Sequence, residues 1–128
     1  MKQYDRPTIF IVEDNLLYQQ LIAKELETLS DDIYFFTKGE LCLKELYRNP
    51  EIIILDYNLE GEINGLDTLK EIRKLNDTIQ IILFSSQKNI YNRENLLRYG
   101  SFDFLEKKRH SFGKLKEMIH SGSFAYAE

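Results

Sequence analysis

Short apolar runs alternate with stretches of helical period along this chain, and that alternation constrains the fold more than any other feature. The apolar runs are TIFIVE (8–13), IYFFT (33–37), IIILD (52–56), IQIILF (79–84) and SFDFLE (101–106). Each is short and rich in β-branched and aromatic residues, as strands are. Between them, apolar residues recur as on one face of a helix: Ile22, Leu26 and Leu29; Leu66, Leu69, Ile72 and Leu75; Phe112, Leu115 and Ile119. Less regular segments over 39–48 and 89–99 also read as helices, with Pro50 stopping the first and Gly100 placed to cap the second. Five strands alternating with five helices predict an α/β fold, a doubly wound five-stranded parallel sheet with helices on both faces. In such sheets ligands gather outside the carboxyl ends of the strands, where the strand order reverses.

Composition narrows the function classes. A chain of 128 residues suits one domain, expected over 1–128 with a core from about 8 to 121 and a short C-terminal tail, 122–128. Net charge is −4, with no basic stripe of the kind that binds nucleic acid directly. The one cysteine, Cys42, forms no intrachain disulfide, and with only His110 and His120 beside it a zinc site is disfavoured. No apolar run approaches a membrane span, and the N-terminus lacks a signal-peptide core, so membrane insertion is not expected and a cytoplasmic setting is.

The predicted strand ends carry the chemistry. Strand one runs into Glu13 and Asp14, strand three into Asp56, strand four into Ser85 and Ser86, and strand five into Glu106 and Lys107. Singly, each has an ordinary explanation. Glu13 and Asp14 could open and cap the first helix. Asp56 could open a turn. Ser85 could be a strand-end hydroxyl, and Lys107 part of a solvated basic run through His110. Together they point elsewhere. Three acids at one rim repel one another unless a cation lies among them, and a hard divalent ion with oxygen ligands removes the conflict. Magnesium fits best, because it keeps several waters and is completed by substrate oxygens. A carboxylate beside magnesium, an ammonium and a hydroxyl is suited to phosphoryl transfer, with Asp56 attacking phosphorus to form an aspartyl phosphate.

At these residues the sequence resembles the receiver domain of two-component response regulators, a flavodoxin-like fold. The likeness runs from residue 8 to about 121 and is carried by FIVEDN with Glu13 and Asp14, IIILDYNL with Asp56, IILFSS with Ser85, and GSFDFLEK with Lys107. The resemblance implies that Asp56 accepts a phosphoryl group from a phosphohistidine on a histidine kinase or histidine phosphotransfer protein. It implies that Asp14, Asp56 and the backbone carbonyl of Asn58 bind Mg2+, with Glu13 acting through water. It implies that Ser85 and Phe104 form a switch pair that changes binding to a downstream protein partner or effector domain, without enzymatic turnover beyond self-catalysed transfer and autodephosphorylation. From periodicity alone Phe104 is a strand-five core residue.

Three departures from the family pattern stand out. Lys108 follows the lysine where proline is usual, Glu60 stands where the loop after Asp56 often has proline, and that loop, YNLEGEING, is one residue longer than the common form. A cis bond costs about 0.5–1 kcal/mol before proline but roughly 2.5–4 kcal/mol before other residues, so a trans Lys107–Lys108 bond is expected. Two other readings compete. A haloacid-dehalogenase-type phosphatase also attacks from a strand-end aspartate, but needs a second acid two positions on, where this chain has Asn58. A flavin-binding module needs a phosphate-cradling loop after strand one, where this chain has EDNLLYQQ.

Overall fold

The computed structural model describes residues 6–86, 102–108 and 110–127, with residues 120–127 as backbone alone. Strands β1 (Ile9–Val12), β2 (Ile33–Phe36), β3 (Ile52–Asp56), β4 (Gln80–Ser85) and β5 (Asp103–Glu106) form one parallel sheet in the order β2-β1-β3-β4-β5. Helices α1 (Leu16–Leu26), α2 (Gly39–Lys44), α3 (Gly65–Leu75) and α4 (Ser111–Ala127) are described. The helix expected over 89–99, and its cap Gly100, lie outside the described residues.

Side chains alternate across each strand, and the register turns that alternation into two separate cores. Ile9, Ile11, Ile52, Ile54, Ile82 and Phe84 pack under α1 and α4, against Ile22, Leu26, Leu115 and Ile119. Phe10, Val12, Ile53, Leu55, Ile81 and Leu83 pack under α2 and α3, against Cys42, Leu69 and Ile72. Every residue of β3 is buried, the last being Asp56. Full burial of each such aliphatic side chain is worth about 1.5–3 kcal/mol, so the middle strand is a stiff support.

The structure corrects three local expectations. Leu75 is 69% exposed rather than part of the α3 stripe. Nine residues at about 100° per residue carry it half a turn from Leu66, and the buried set is instead Gly65, Thr68, Leu69 and Ile72, spaced i, i+3, i+4, i+7. The segment 39–48 is not one helix: α2 ends at Lys44, and a 3-10 turn, Leu46–Arg48, leads to Asn49 at φ 57°. Pro50 disfavours helical backbone at the residue before it, and Asn tolerates the left-handed region. The tail expected from 122 continues α4 as far as Ala127, since no proline interrupts the segment. Among the described residues, no helix is long and apolar enough to cross a membrane.

Candidate functional site

The strand order reverses between β1 and β3, so the chain leaves the two neighbouring strands in opposite directions and a cleft opens at their carboxyl ends. Val12 pairs with Leu55, which sets Glu13 level with Asp56. Alternation puts both on the face of Ile11 and Ile54, and Lys107 shares that face two residues after Leu105. Three strands thereby aim their last or next residues at one point.

Lys107 Nζ lies 2.7 Å from Glu13 Oε1 and 3.2 Å from Asp56 Oδ1. All three side chains are nearly inaccessible, at 6% for Lys107, 2% for Glu13 and 4% for Asp56. Glu13 Oε2 accepts from the Asn15 N–H at 3.1 Å, and its carbonyl accepts from Gln19 Nε2 at 2.6 Å. Asp56 Oδ1 also accepts from the Asn58 N–H at 3.0 Å. Burial pushes the Glu13 carboxyl up to about 7 against the pull of Lys107, and the charge of Asp56 adds to the rise. Burial acts to lower the Lys107 ammonium, but Glu13 and Asp56 together hold it above its ordinary value.

One oxygen each from Glu13, Asp14 and Asp56 lies within 4.8 Å of the others. Three carboxylates against Lys107, which pairs with Glu13 and Asp56, leave an excess of negative charge at a site where two of the three are buried. An all-oxygen donor set of this kind fits a hard divalent cation and no soft metal. The loop after β3 closes over the cluster: the Glu60 N–H approaches Asp14 Oδ2 at 3.4 Å, and the chain turns at Gly61, whose φ of 124° favours glycine.

The ordinary explanations fail on geometry for Glu13, Asp14 and Lys107, whereas Asp56 does open a turn, its Oδ1 accepting from the Asn58 N–H, and Ser85 is a strand-end hydroxyl. Asn15, not Glu13 or Asp14, caps α1, its side chain accepting from the Tyr18 N–H at 3.1 Å. Lys107 is enclosed, whereas Lys108 beside it is 64% exposed. The Lys107–Lys108 bond is trans, as expected. In place of a proline, Ser111 holds this turn: its hydroxyl accepts from the Lys108 N–H at 3.0 Å and donates to the Glu106 carbonyl, so both peptides flanking Lys107 are tied. Ser85 is fully buried at the end of β4. Phe104 is not level with it: Phe104 pairs with Leu83 and Ser85 with Glu106, so the ring sits one pleat lower on the same face. Asn58 donates from Nδ2 to Ser86 Oγ at 3.3 Å and carries no acid proton, which removes the general acid a haloacid-dehalogenase-type phosphatase requires.

Sequence reasoning missed an aromatic group beside the lysine. The Tyr18 and Phe84 ring centroids lie 4.5 and 5.6 Å from Lys107 Nζ. Extending the Ile22–Leu26 spacing back by four residues reaches Tyr18, so the helical period did carry the signal.

The response regulator receiver domain family matches residues 9–120, nearly the whole chain. The chain belongs to that family. This receiver domain is 33% identical over 100 residues to the transcriptional regulatory protein CssR of Bacillus subtilis, covering 78% of this chain and 44% of that one. It is 33% identical over 129 residues to a protein-glutamate methylesterase/protein-glutamine glutaminase of Clostridium acetobutylicum, covering 94% and 37%. The chain thus spans less than half the length of either relative. Among solved structures it resembles the signal receiver domain of a LuxO repressor protein from Vibrio parahaemolyticus, with TM-score 0.81, 26% identity, and coverage of 94% of this chain and 92% of that one. It also resembles the response regulator TrrA of Thermotoga maritima, solved in complex with Mg2+–BeF, with TM-score 0.76, 28% identity, and coverage of 88% and 96%.

The raised Glu13 value has a measurable consequence. The folded receiver holds this proton more tightly than the unfolded chain, where the ordinary value is 4.5. The group's stabilising contribution is therefore fully present below pH 4.5 and lost as the pH rises through 7. In chelator, the protein is expected to lose roughly 3 kcal/mol through this group between pH 4.5 and about pH 8. Saturating magnesium should recover stability at the alkaline end, by binding the folded carboxylates. Urea unfolding across this range measures both effects. Glu13→Gln should flatten the profile, and an equally steep one would refute the assignment.

Proposed function

We propose that this receiver domain is a phosphoacceptor switch in which Asp56 takes a phosphoryl group from a phosphohistidine on a histidine kinase or histidine phosphotransfer protein. The observation that carries the reading is a buried carboxylate at the end of a fully buried strand, 3.2 Å from a buried ammonium. Oδ1 of Asp56 already faces Lys107 Nζ and the Asn58 N–H, so Oδ2 is the attacking oxygen. The new O–P bond forms as the P–N bond of the donor breaks, with its electron pair returning to the donor imidazole. Lys107, held by Glu13, neutralises charge on the transferring group. Asp14, Asp56 and the backbone carbonyl of Asn58 would hold Mg2+, with Glu13 reaching it through water. Bound there, the ion supplies positive charge for the phosphoryl oxygens. The complex of the TrrA relative with Mg2+–BeF supports this choice of metal.

Ser85 then donates its hydroxyl to a phosphoryl oxygen, and Phe104 turns inward as the strand-four end moves. The output is altered binding to a downstream protein partner or effector domain, in the cytoplasm. The domain turns over no separate substrate; its chemistry is confined to self-phosphorylation and autodephosphorylation.

Incubation with a small phosphodonor and magnesium should add one phosphoryl group by intact mass, and no addition would refute the reading. Ser85→Ala should still accept the group but lose most of the conformational response. Amide spectra around Ser85 and Phe104 report this, and unchanged activation shifts in the variant would exclude the hydroxyl as the link.

A further inference from the structure

We propose that Tyr18 is a positioning residue for Lys107, its ring face confining the ammonium to the side where Glu13 and Asp56 lie. The inference rests on the phosphoacceptor reading, in which Lys107 must meet the phosphoryl oxygens. A lysine ammonium is a compact charge on a flexible four-carbon stem, so a fixed backbone alone does not aim it. Ser111 ties the two peptides around Lys107, but the head lies four carbons beyond that latch. Two carboxylates draw it from one side, at 2.7 and 3.2 Å. The Tyr18 ring faces the same ammonium with its centroid 4.5 Å from Nζ, nearer than Phe84 at 5.6 Å, and both are inside the roughly 6 Å range where a ring face attracts a cation.

The ring itself is held. It stacks on Phe112 with centroids 6.0 Å apart and planes 28° apart, and Phe112 meets Phe84 edge-on at 5.4 Å and 90°. The Tyr18 N–H is the donor that Asn15 caps, so the ring springs from the turn directly after Glu13 and Asp14. The connection after β1 thus supplies Glu13 and Asp14, and the first turn of α1 that it leads into supplies a wall for the ammonium. Tyr18 touches no reacting atom and acts only through Lys107.

The test compares phosphoryl uptake from acetyl phosphate with magnesium in the wild type, Tyr18→Phe, Tyr18→Leu and Tyr18→Met. Tyr18→Phe keeps the ring face and should stay within about twofold of wild type, whereas Leu and Met should be roughly tenfold slower. The Lys107 ε-methylene protons give a second signature. Ring current should shift them upfield in the wild type and Tyr18→Phe, and in Tyr18→Leu and Tyr18→Met the shift should shrink to what the more distant Phe84 ring supplies. Loss of packing alone would lower the melting temperature of Tyr18→Leu and Tyr18→Met but leave uptake per folded molecule near that of wild type. Two variants of similar volume guard against one failing to fold. Wild-type rates in Leu or Met, or Lys107 signals that ignore residue 18, would overturn the proposal. A wild type that takes up no phosphoryl group would instead refute the phosphoacceptor reading, while the Lys107 shifts would still decide the Tyr18 contact.

Discussion

Asp56→Asn is expected to abolish phosphoryl uptake while leaving the fold intact. The amide matches the carboxylate in size, so the packing at the end of β3 is kept. Its oxygen is not a competent nucleophile towards phosphorus, so the transfer itself fails. Stability should not fall steeply. Lys107 retains Glu13 at 2.7 Å, and the substitution removes the neighbouring charge that adds to the rise of the Glu13 value. Intact mass after treatment with a small phosphodonor and magnesium reads the outcome: one added phosphoryl group on wild type and none on the variant. Equal addition to both would move the acceptor elsewhere. A variant that melts far below wild type would mean that the charge of Asp56 is a structural requirement of the lysine site.

Gly65→Ala is expected to be the most destabilising single methyl group in the described structure near the site. A Cβ at Gly65 would lie 2.2 Å from the Asp56 carbonyl oxygen, 2.6 Å from that of Tyr57 and 2.7 Å from the Tyr57 Cα. All three are backbone atoms of the segment that carries Asp56, so no side chain can swing away. The first residue of α3 is therefore packed against the end of β3, where Asn64 caps the helix and Asp67 completes the box. Relief requires either the helix or the strand end to shift, at a cost of about 3 kcal/mol or more. A shift of the strand end also displaces the Asp56 carboxylate, so phosphoryl uptake should slow in whatever protein remains folded. Gly113→Ala is the matched control. Its Cβ would meet only Glu25 Oε1 at 3.7 Å, and replacing an exposed helical glycine should stabilise by about 0.5–1 kcal/mol. Urea unfolding of the two variants should give opposite signs. A loss at Gly65 of under about 1 kcal/mol would contradict the close approach, since overpacking rarely costs less.

Local pattern determined much of this protein. The run Ile52–Asp56 announced a strand buried on both faces, and its bounds are those of β3. Ile22 with Leu26, and Leu115 with Ile119, marked the buried faces of two helices, because helical period depends only on neighbours within a few residues. Once five strands and a parallel sheet were legible, the strand ends named the acidic cluster without coordinates. Other features required the tertiary structure. Whether Glu13 and Asp14 cap a helix or line a site depended on Asn15 taking the cap. Leu75 stands half a turn from Leu66, and only packing on the sheet decided that the side carrying Leu69 and Ile72 turns inward. Phe104 stood one pleat below Ser85 because register is set by pairing between distant segments, not within either one. The basic run from Lys107 divided into one enclosed ammonium and one exposed for the same reason. Composition assigns both lysines the same charge; only the approach of β1, β3 and α1 from elsewhere in the chain gives one of them two carboxylates and a ring.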